Sequence, residues 1–429
     1  MSSYAALIDA QLIHTVSSFE LECGTVLEDV PVAYKTWGAL DEVKSNAMII
    51  CHAFTGSADV EDWWGPLMGP GKAFDSSKFF IVCANVLGSP YGTASPVTIN
   101  PRTRKPYGPD FPPTSIRDDV RLHKLLLDHL GVRSIAVVIG GSMGGMAVLE
   151  WPLCTPQGYV RHIIAIATAA RHSAWCISWG ETQRQSIFSD PDYREGWYSA
   201  HAPPKAGLAA ARMAALLTYR SRDSFEKRFG RKHQNTPAPT YQARTTGHNG
   251  VNPTSSQAAD KGPQSPDGNS SPPPVFTAQS YLRYQGEKFN SRFDANCYIH
   301  ITRKLDTHDV ARGRSTSEDE STALADVLGH IPHGALIISV QTDGLFTPSE
   351  QQELARHIVG GELVTIDSAD GHDGFLLEFE QINHHILAFL HQRLPEYAIQ
   401  GVFGDQSSPD SFAVTKESKF GEAEDVTMW

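Results

Sequence analysis

The chain of 429 residues carries 36 Lys and Arg against 48 Asp and Glu, a formal net charge of −12, with 41% hydrophobic and 20% charged residues. This is the composition of a globular protein with enough apolar material for a sizeable core, which excludes a disordered or fibrous chain, and the acidic balance argues against nucleic acid or an anionic membrane surface as partner. The length suits one large α/β domain with an insertion.

Met1-Ser2-Ser3-Tyr4-Ala5 lacks the basic stretch and long apolar run of a secretory leader, and no apolar run approaches a bilayer span. A cytoplasmic location with no membrane partner is expected. Phe19 to Thr25 and on to Tyr34 alternates polar and apolar residues around turn formers, which predicts an antiparallel hairpin at one sheet edge. Apolar, β-branched runs follow at 47–51, 79–84, 135–139, 163–167, 335–340 and 363–366, the pattern of strands buried on both faces of a parallel sheet. Between the second and third of these, Asp118 to Leu127 reads as a helix with acids in its first turn and Gly131 as its stop. The alternation predicts an α/β fold with a mostly parallel, doubly wound sheet.

The run 135–139 leads into Gly140-Gly141-Ser142-Met143-Gly144-Gly145-Met146 and then into a helix-forming stretch. A G-x-S-x-G pattern at a strand-to-helix turn is the nucleophile elbow of the α/β-hydrolase fold, where the serine takes a strained backbone conformation that small neighbours permit. The competing reading is a phosphate-binding glycine turn, but neither a Lys-Ser/Thr pair nor G-x-G-x-x-G spacing follows.

From about Arg171 to His330 buried-strand runs disappear and helical periodicity dominates, with helices expected at 207–219 and 280–305. The expected organisation is an α/β-hydrolase core from 1–170 and 331–400, an inserted helical lid domain at 171–330, and a C-terminal tail at 401–429 read as flexible. Within the lid, 233–274 is dense in Pro, Ser, Gly and Asn and reads as disordered. Trp175, Trp179 and Trp197 are candidate walls of a cleft, or lid core. The six cysteines are scattered without C-x-x-C spacing, which points to neither a disulfide framework nor a zinc site. No metal site is expected.

A serine hydroxyl needs a base and a group that orients the base. Asp343 follows the strand at 335–340 and His372 the strand at 363–366, the Ser…Asp…His order of α/β-hydrolases with every residue beyond a strand's C-terminal end. Asp367 and Asp370 compete for the acid but lie too near His372 in sequence to occupy a separate loop. Two backbone donors should face the oxyanion: the N–H of Met143, and that of Phe54 in His52-Ala53-Phe54-Thr55-Gly56, directly after the strand ending at Cys51. His52 reads as structural.

Together, Cys51-His52-Ala53-Phe54-Thr55-Gly56, Leu87-Gly88-Ser89-Pro90-Tyr91-Gly92, Thr114 to Val120, Gly140 to Met146, Tyr281 to Phe289, Arg292 to Asn296 and Gly371-His372-Asp373 resemble the homoserine O-acetyltransferases, from about residue 15 to about 395. Phe54 stands where the family usually has leucine, and the low-complexity segment and tail resemble fungal rather than compact bacterial members. The resemblance implies ping-pong transfer from acetyl-CoA through an acetyl-Ser142 enzyme to the hydroxyl of homoserine, with no bound cofactor. It also implies that Arg212 and Tyr219 hold the substrate carboxylate and Asp373 its amino group, with Thr55 among the substrate-binding residues, and that the protein is a homodimer built through the lid. Arg212 and Tyr219, two helical turns apart, should face one cleft. Arginines such as Arg171 or Arg184 would lie near the nucleotide end of CoA. Serine or deacetylcephalosporin C as acceptor, succinyl-CoA as donor, and a serine esterase of the same fold remain the alternatives.

Overall fold

The computed structural model describes residues 3–233, 275–397 and 418. Among these residues eight strands form one sheet in the order β1-β2-β4-β3-β5-β6-β7-β8. They are β1 (Leu12–Glu20), β2 (Val26–Trp37), β3 (Ala47–Cys51), β4 (Phe80–Ala84), β5 (Ile135–Gly141), β6 (Val160–Ile166), β7 (Leu336–Val340) and β8 (Glu362–Ile366). The first two make the antiparallel hairpin at the sheet edge, and β2 joins β4 antiparallel. Every later pairing is parallel. The α/β-hydrolase fold read from the sequence is the fold observed.

Every residue of β3, β5 and β7 is buried, which is why those runs are apolar without alternation. Successive β3 side chains still go to opposite faces: Ala47, Ile49 and Cys51 join one apolar cluster, Met48 and Ile50 the other. A register shift at Ala47/Met48 inserts Ala136 into β5 and puts Ala136 and Val137 on the same side.

Helices cover both faces. After β3 comes α1 (Val60–Trp64), and after β4 comes α2 (Ile116–Leu130), opened by a Ser115–Asp118 capping box and closed by Gly131 in the left-handed conformation. The helix α3 (Met143–Cys154) follows β5. Between β6 and β7 lie only helices and turns among the described residues: α4 (Ala174–Phe188), α5 (Lys205–Tyr219), α6 (Arg222–Arg228), α7 (Thr277–Asn290), α8 (Ala295–Asp306) and α9 (Glu320–Leu328). The helix α10 (Pro348–His357) lies between β7 and β8, and α11 (Gly374–Leu377) and α12 (Phe379–Arg393) follow β8. The segment 233–274, apart from His233, and the tail 401–429, apart from Ser418, lie outside the described residues.

The single helix expected over 280–305 is two. Asp294 starts α8 by accepting the Cys297 N–H, so the chain turns at 291–294 and places Arg292 and Phe293 at the corner. All six cysteines are free. Among the described residues no helix is long and apolar enough to cross a membrane, and no cluster of His, Cys, Asp and Glu could hold a metal ion.

Candidate active site

Parallel strands bring the loops after β3, β5, β7 and β8 to one edge of the sheet. Ser142 sits between β5 and α3 at φ 59°, ψ −126°, a conformation that costs an L-residue about 1–3 kcal/mol. The surroundings enforce it. Ser142 N–H donates to Ile166 O at 3.0 Å, and Ser142 O accepts from Thr168 Oγ1 at 2.8 Å. The flanking glycines have no alternative: a Cβ on Gly140 would stand 2.7 Å from the Gly144 carbonyl carbon, and one on Gly144 only 2.1 Å from Cys51 O.

His372 lies in a short turn whose first residue, Gly371, has φ +67° and packs its Cα against the end of α5; a Cβ there would be 2.5 Å from Ser221 N. Its Nδ1 is 2.7 Å from Asp343 Oδ2. The other Asp343 oxygen accepts the N–H groups of Leu345 and Phe346 at 2.8 and 2.9 Å, which fixes the carboxylate plane. With Nδ1 donating to a carboxylate, Nε2 carries the free lone pair, and among the described residues this buried atom has no hydrogen-bond partner. Burial works to lower the His372 pKa, but the Asp343 charge and hydrogen bond outweigh it, so the pKa is raised. Of the competing acids, Asp370 pairs its carboxylate with Arg220, and Asp367 bonds Gln381 through its backbone N–H and C=O.

Ser142 and His372 line one cavity of about 100 Å³ together with Phe54, Thr55, Tyr219 and Asp373. The loop after β3 thus reaches the serine, as does Met143, the first residue of α3, whose N–H has no intrahelical acceptor. Thr55 is held from behind: Arg292 Nη1 donates to its carbonyl at 3.1 Å.

Arg212 is 2% exposed on α5, so it is not a solvated lid arginine. It does not line the cavity alongside Tyr219. Instead its guanidinium stacks 5.6 Å from the Tyr219 ring and 4.8 Å from that of Phe289, one layer behind the wall. Asp373 lines the cavity, and Arg220 Nε stands 2.8 Å from its Oδ2. Burial raises the Asp373 pKa, while Arg220, His372 and Arg212 oppose the rise.

Two tryptophans expected as walls are elsewhere. Trp175 and Trp197 are 58% and 56% exposed, while Trp179 and the unforeseen Trp63 line the cavity. The arginines read as nucleotide contacts are already paired: Arg171 with Glu320 and Glu353, and the buried Arg184 with Glu181 and Asp306. Sequence reasoning assigned nothing to Arg220, Arg292 or Thr168. Arg292 belongs to the Arg292–Asn296 motif and Arg220 directly follows Tyr219, but neither position shows its partner.

The family model for the alpha/beta hydrolase fold matches residues 46–379. Fold and site define an α/β-hydrolase-fold protein with serine, aspartate and histidine beyond the ends of β5, β7 and β8 on one edge of the sheet. The chain is 50% identical to a homoserine O-acetyltransferase of Cryptococcus neoformans var. grubii, over 99% of this chain and 97% of that protein. It is also 50% identical to a homoserine O-acetyltransferase of Emericella nidulans, over 99% of this chain and 96% of that one. Among solved structures, esterase E22 superposes with a TM-score of 0.72 at 26% identity, covering 89% of this chain and 99% of that chain. The chain belongs to the homoserine O-acetyltransferase family and is an acyltransferase.

Proposed function

We propose that the protein moves acetyl from acetyl-CoA to the hydroxyl of L-homoserine by a ping-pong route through acetyl-Ser142, a step toward methionine. The observation that carries this reading is the bare Nε2 of His372, held by Asp343 and sharing a narrow cavity with the strained Ser142. His372 Nε2 takes the Ser142 hydroxyl proton as Oγ attacks the thioester carbonyl. The oxyanion accepts from the N–H groups of Phe54 and Met143, and CoA thiolate leaves with the proton from His372. In the second half His372 deprotonates the homoserine hydroxyl, which attacks the acetyl-enzyme and regenerates Ser142. Each oxyanion donor is worth about 3–4 kcal/mol of barrier.

The amino acid's two charges need opposite partners. Asp373, paired with Arg220 at the cavity wall, receives the ammonium group. Tyr219 receives the carboxylate at the cavity wall, Arg212 supplies positive charge from one layer behind it, and Thr55 closes the pocket beside the oxyanion loop. Transfer rather than hydrolysis requires that the acetyl-enzyme outlive its exposure to water, and the apolar lining of Trp63, Trp179, Phe346 and Phe375 favours that. An esterase is the second reading, favoured by the likeness to esterase E22. Thiol release from acetyl-CoA separates the two: dependence on homoserine supports transfer, and equal release without an acceptor supports hydrolysis. Relative kcat/KM for homoserine, serine and deacetylcephalosporin C tests the acceptor.

A further inference from the structure

The Phe54 N–H can serve as an oxyanion donor only if its peptide plane is held in one orientation, and the residue that holds it is a histidine to which sequence reading gave no chemistry. His52 is 1% exposed, directly after β3. Its Nδ1 lies 2.8 Å from Ala53 O, and its Nε2 lies 3.1 Å from Val86 N. A carbonyl only accepts and a backbone N–H only donates, so the two contacts fix the neutral tautomer with the proton on Nδ1. Burial, which pushes the His52 pKa down to about 4, keeps the ring in that neutral form.

Ala53 O also accepts the Gly56 N–H at 3.0 Å, so two donors pin this carbonyl. The peptide is trans, and the N–H of the next residue therefore points opposite to the carbonyl. Among the described residues no hydrogen bond occupies the Phe54 N–H, and both Ala53 and Phe54 line the cavity that holds Ser142. The far end of His52 is anchored just as firmly. Val86 precedes Leu87, whose N–H donates to Asp119 Oδ1 at 2.8 Å and whose carbonyl accepts from Lys304 Nζ at 2.7 Å. Lys304 and Asp119 form a fully buried ion pair between α8 and α2.

The geometry points to His52 as a positioning residue of the acyl-transfer site: it ties the Ala53–Phe54 peptide to the end of β4 so that the Phe54 N–H faces the oxyanion. This rests on the reading of Ser142 as nucleophile and Phe54 as donor.

The test compares His52→Leu, His52→Asn and His52→Gln with wild type in the full chain, with thermal melts as a control for folding. The readouts are kcat, KM for homoserine, and the rate of acetyl-enzyme formation from acetyl-CoA. An Asn amide nitrogen can take the place of Nδ1 and donate to Ala53 O; a Gln amide reaches only the Nε2 end. The expected result is a fall of about 10²-fold in acetylation rate and kcat for His52→Leu with KM for homoserine little changed, and substantial rescue by Asn but not by Gln. Wild-type acetylation by a folded His52→Leu, or equal activity of the Asn and Gln variants, overturns the assignment. If His52→Leu fails to fold, the Asn and Gln pair still decides. Failure of the underlying reading looks different: wild-type protein then forms no acetyl-Ser142 at all.

Discussion

Arg220 Nε lies 2.8 Å from Asp373 Oδ2, next in sequence to His372, while the same guanidinium reaches Asp370 at 2.7 Å. Arg220 directly follows α5, whose last residue is Tyr219. The contact therefore locks the helix that carries Arg212 and Tyr219 onto the turn that carries His372. The Arg220 charge also opposes the rise that burial imposes on the Asp373 pKa, although burial prevails and the pKa stays raised.

Asp373→Asn should accordingly damage the acceptor half-reaction far more than the donor half. Loss of a charge-assisted contact to an ammonium group corresponds to about 10–100-fold in kcat/KM for homoserine. Rapid-quench measurement of enzyme acetylation should stay within a few-fold of wild type. Equal loss in both half-reactions would mean that Asp373 serves the His372 turn and not the acceptor.

Arg212→Lys keeps the charge but loses the planar group that stacks on Tyr219 and Phe289. KM for homoserine should rise by about tenfold or more, with KM for acetyl-CoA unchanged. An unaltered homoserine KM removes Arg212 from acceptor binding.

The pH dependence follows from the Asp343 contact. His372 must be neutral to act as base, and its pKa is raised, so kcat/KM should fall as pH drops through a value above that of an ordinary imidazole. In Asp343→Asn burial loses its strongest opponent, and the acid limb should move to lower pH while kcat falls by about 10⁴-fold. A limb that stays in place, measured with acetyl-CoA across pH 5–9, on the order of two units either side of neutrality, would assign it to another group.

Backbone strain makes a prediction about stability alone. Glycine adopts φ 59°, ψ −126° freely, so Ser142→Gly, though inactive, should stabilise the fold by about 1–2 kcal/mol, read as a higher Tm, whereas the equally inactive Ser142→Ala should give no such gain. Gly144→Ala should lower the Tm, because its Cβ would meet the Cys51 carbonyl at 2.1 Å and neither backbone can yield.

What could be read from the sequence was local or tied to strand ends. Gly140, Ser142 and Gly144 declare their turn because the constraint acts within a few residues, and Asp343 and His372 declare themselves by following apolar runs that could only be buried strands. The lid was less legible. Trp175 and Ile177 on α4 face outward while Arg184 and Gln183 of the same helix are buried, so residue type misleads about which face packs. Arg184 is buried because Asp306 and Glu181 are there to meet it, and that pairing crosses between helices. Arg220 and His52 were passed over for the same reason: what each does is set by a partner in another loop.

The central claim is that Ser142 carries the acetyl group. The most direct measurement is intact mass of the full chain after brief exposure to acetyl-CoA without acceptor, followed by peptide mapping. The account predicts one added acetyl group on the peptide containing Ser142, its loss when homoserine is added with formation of O-acetylhomoserine, and no adduct in Ser142→Ala. Turnover at the wild-type rate by Ser142→Ala, or an acetyl group mapped to another residue that homoserine removes at the same rate, would contradict it.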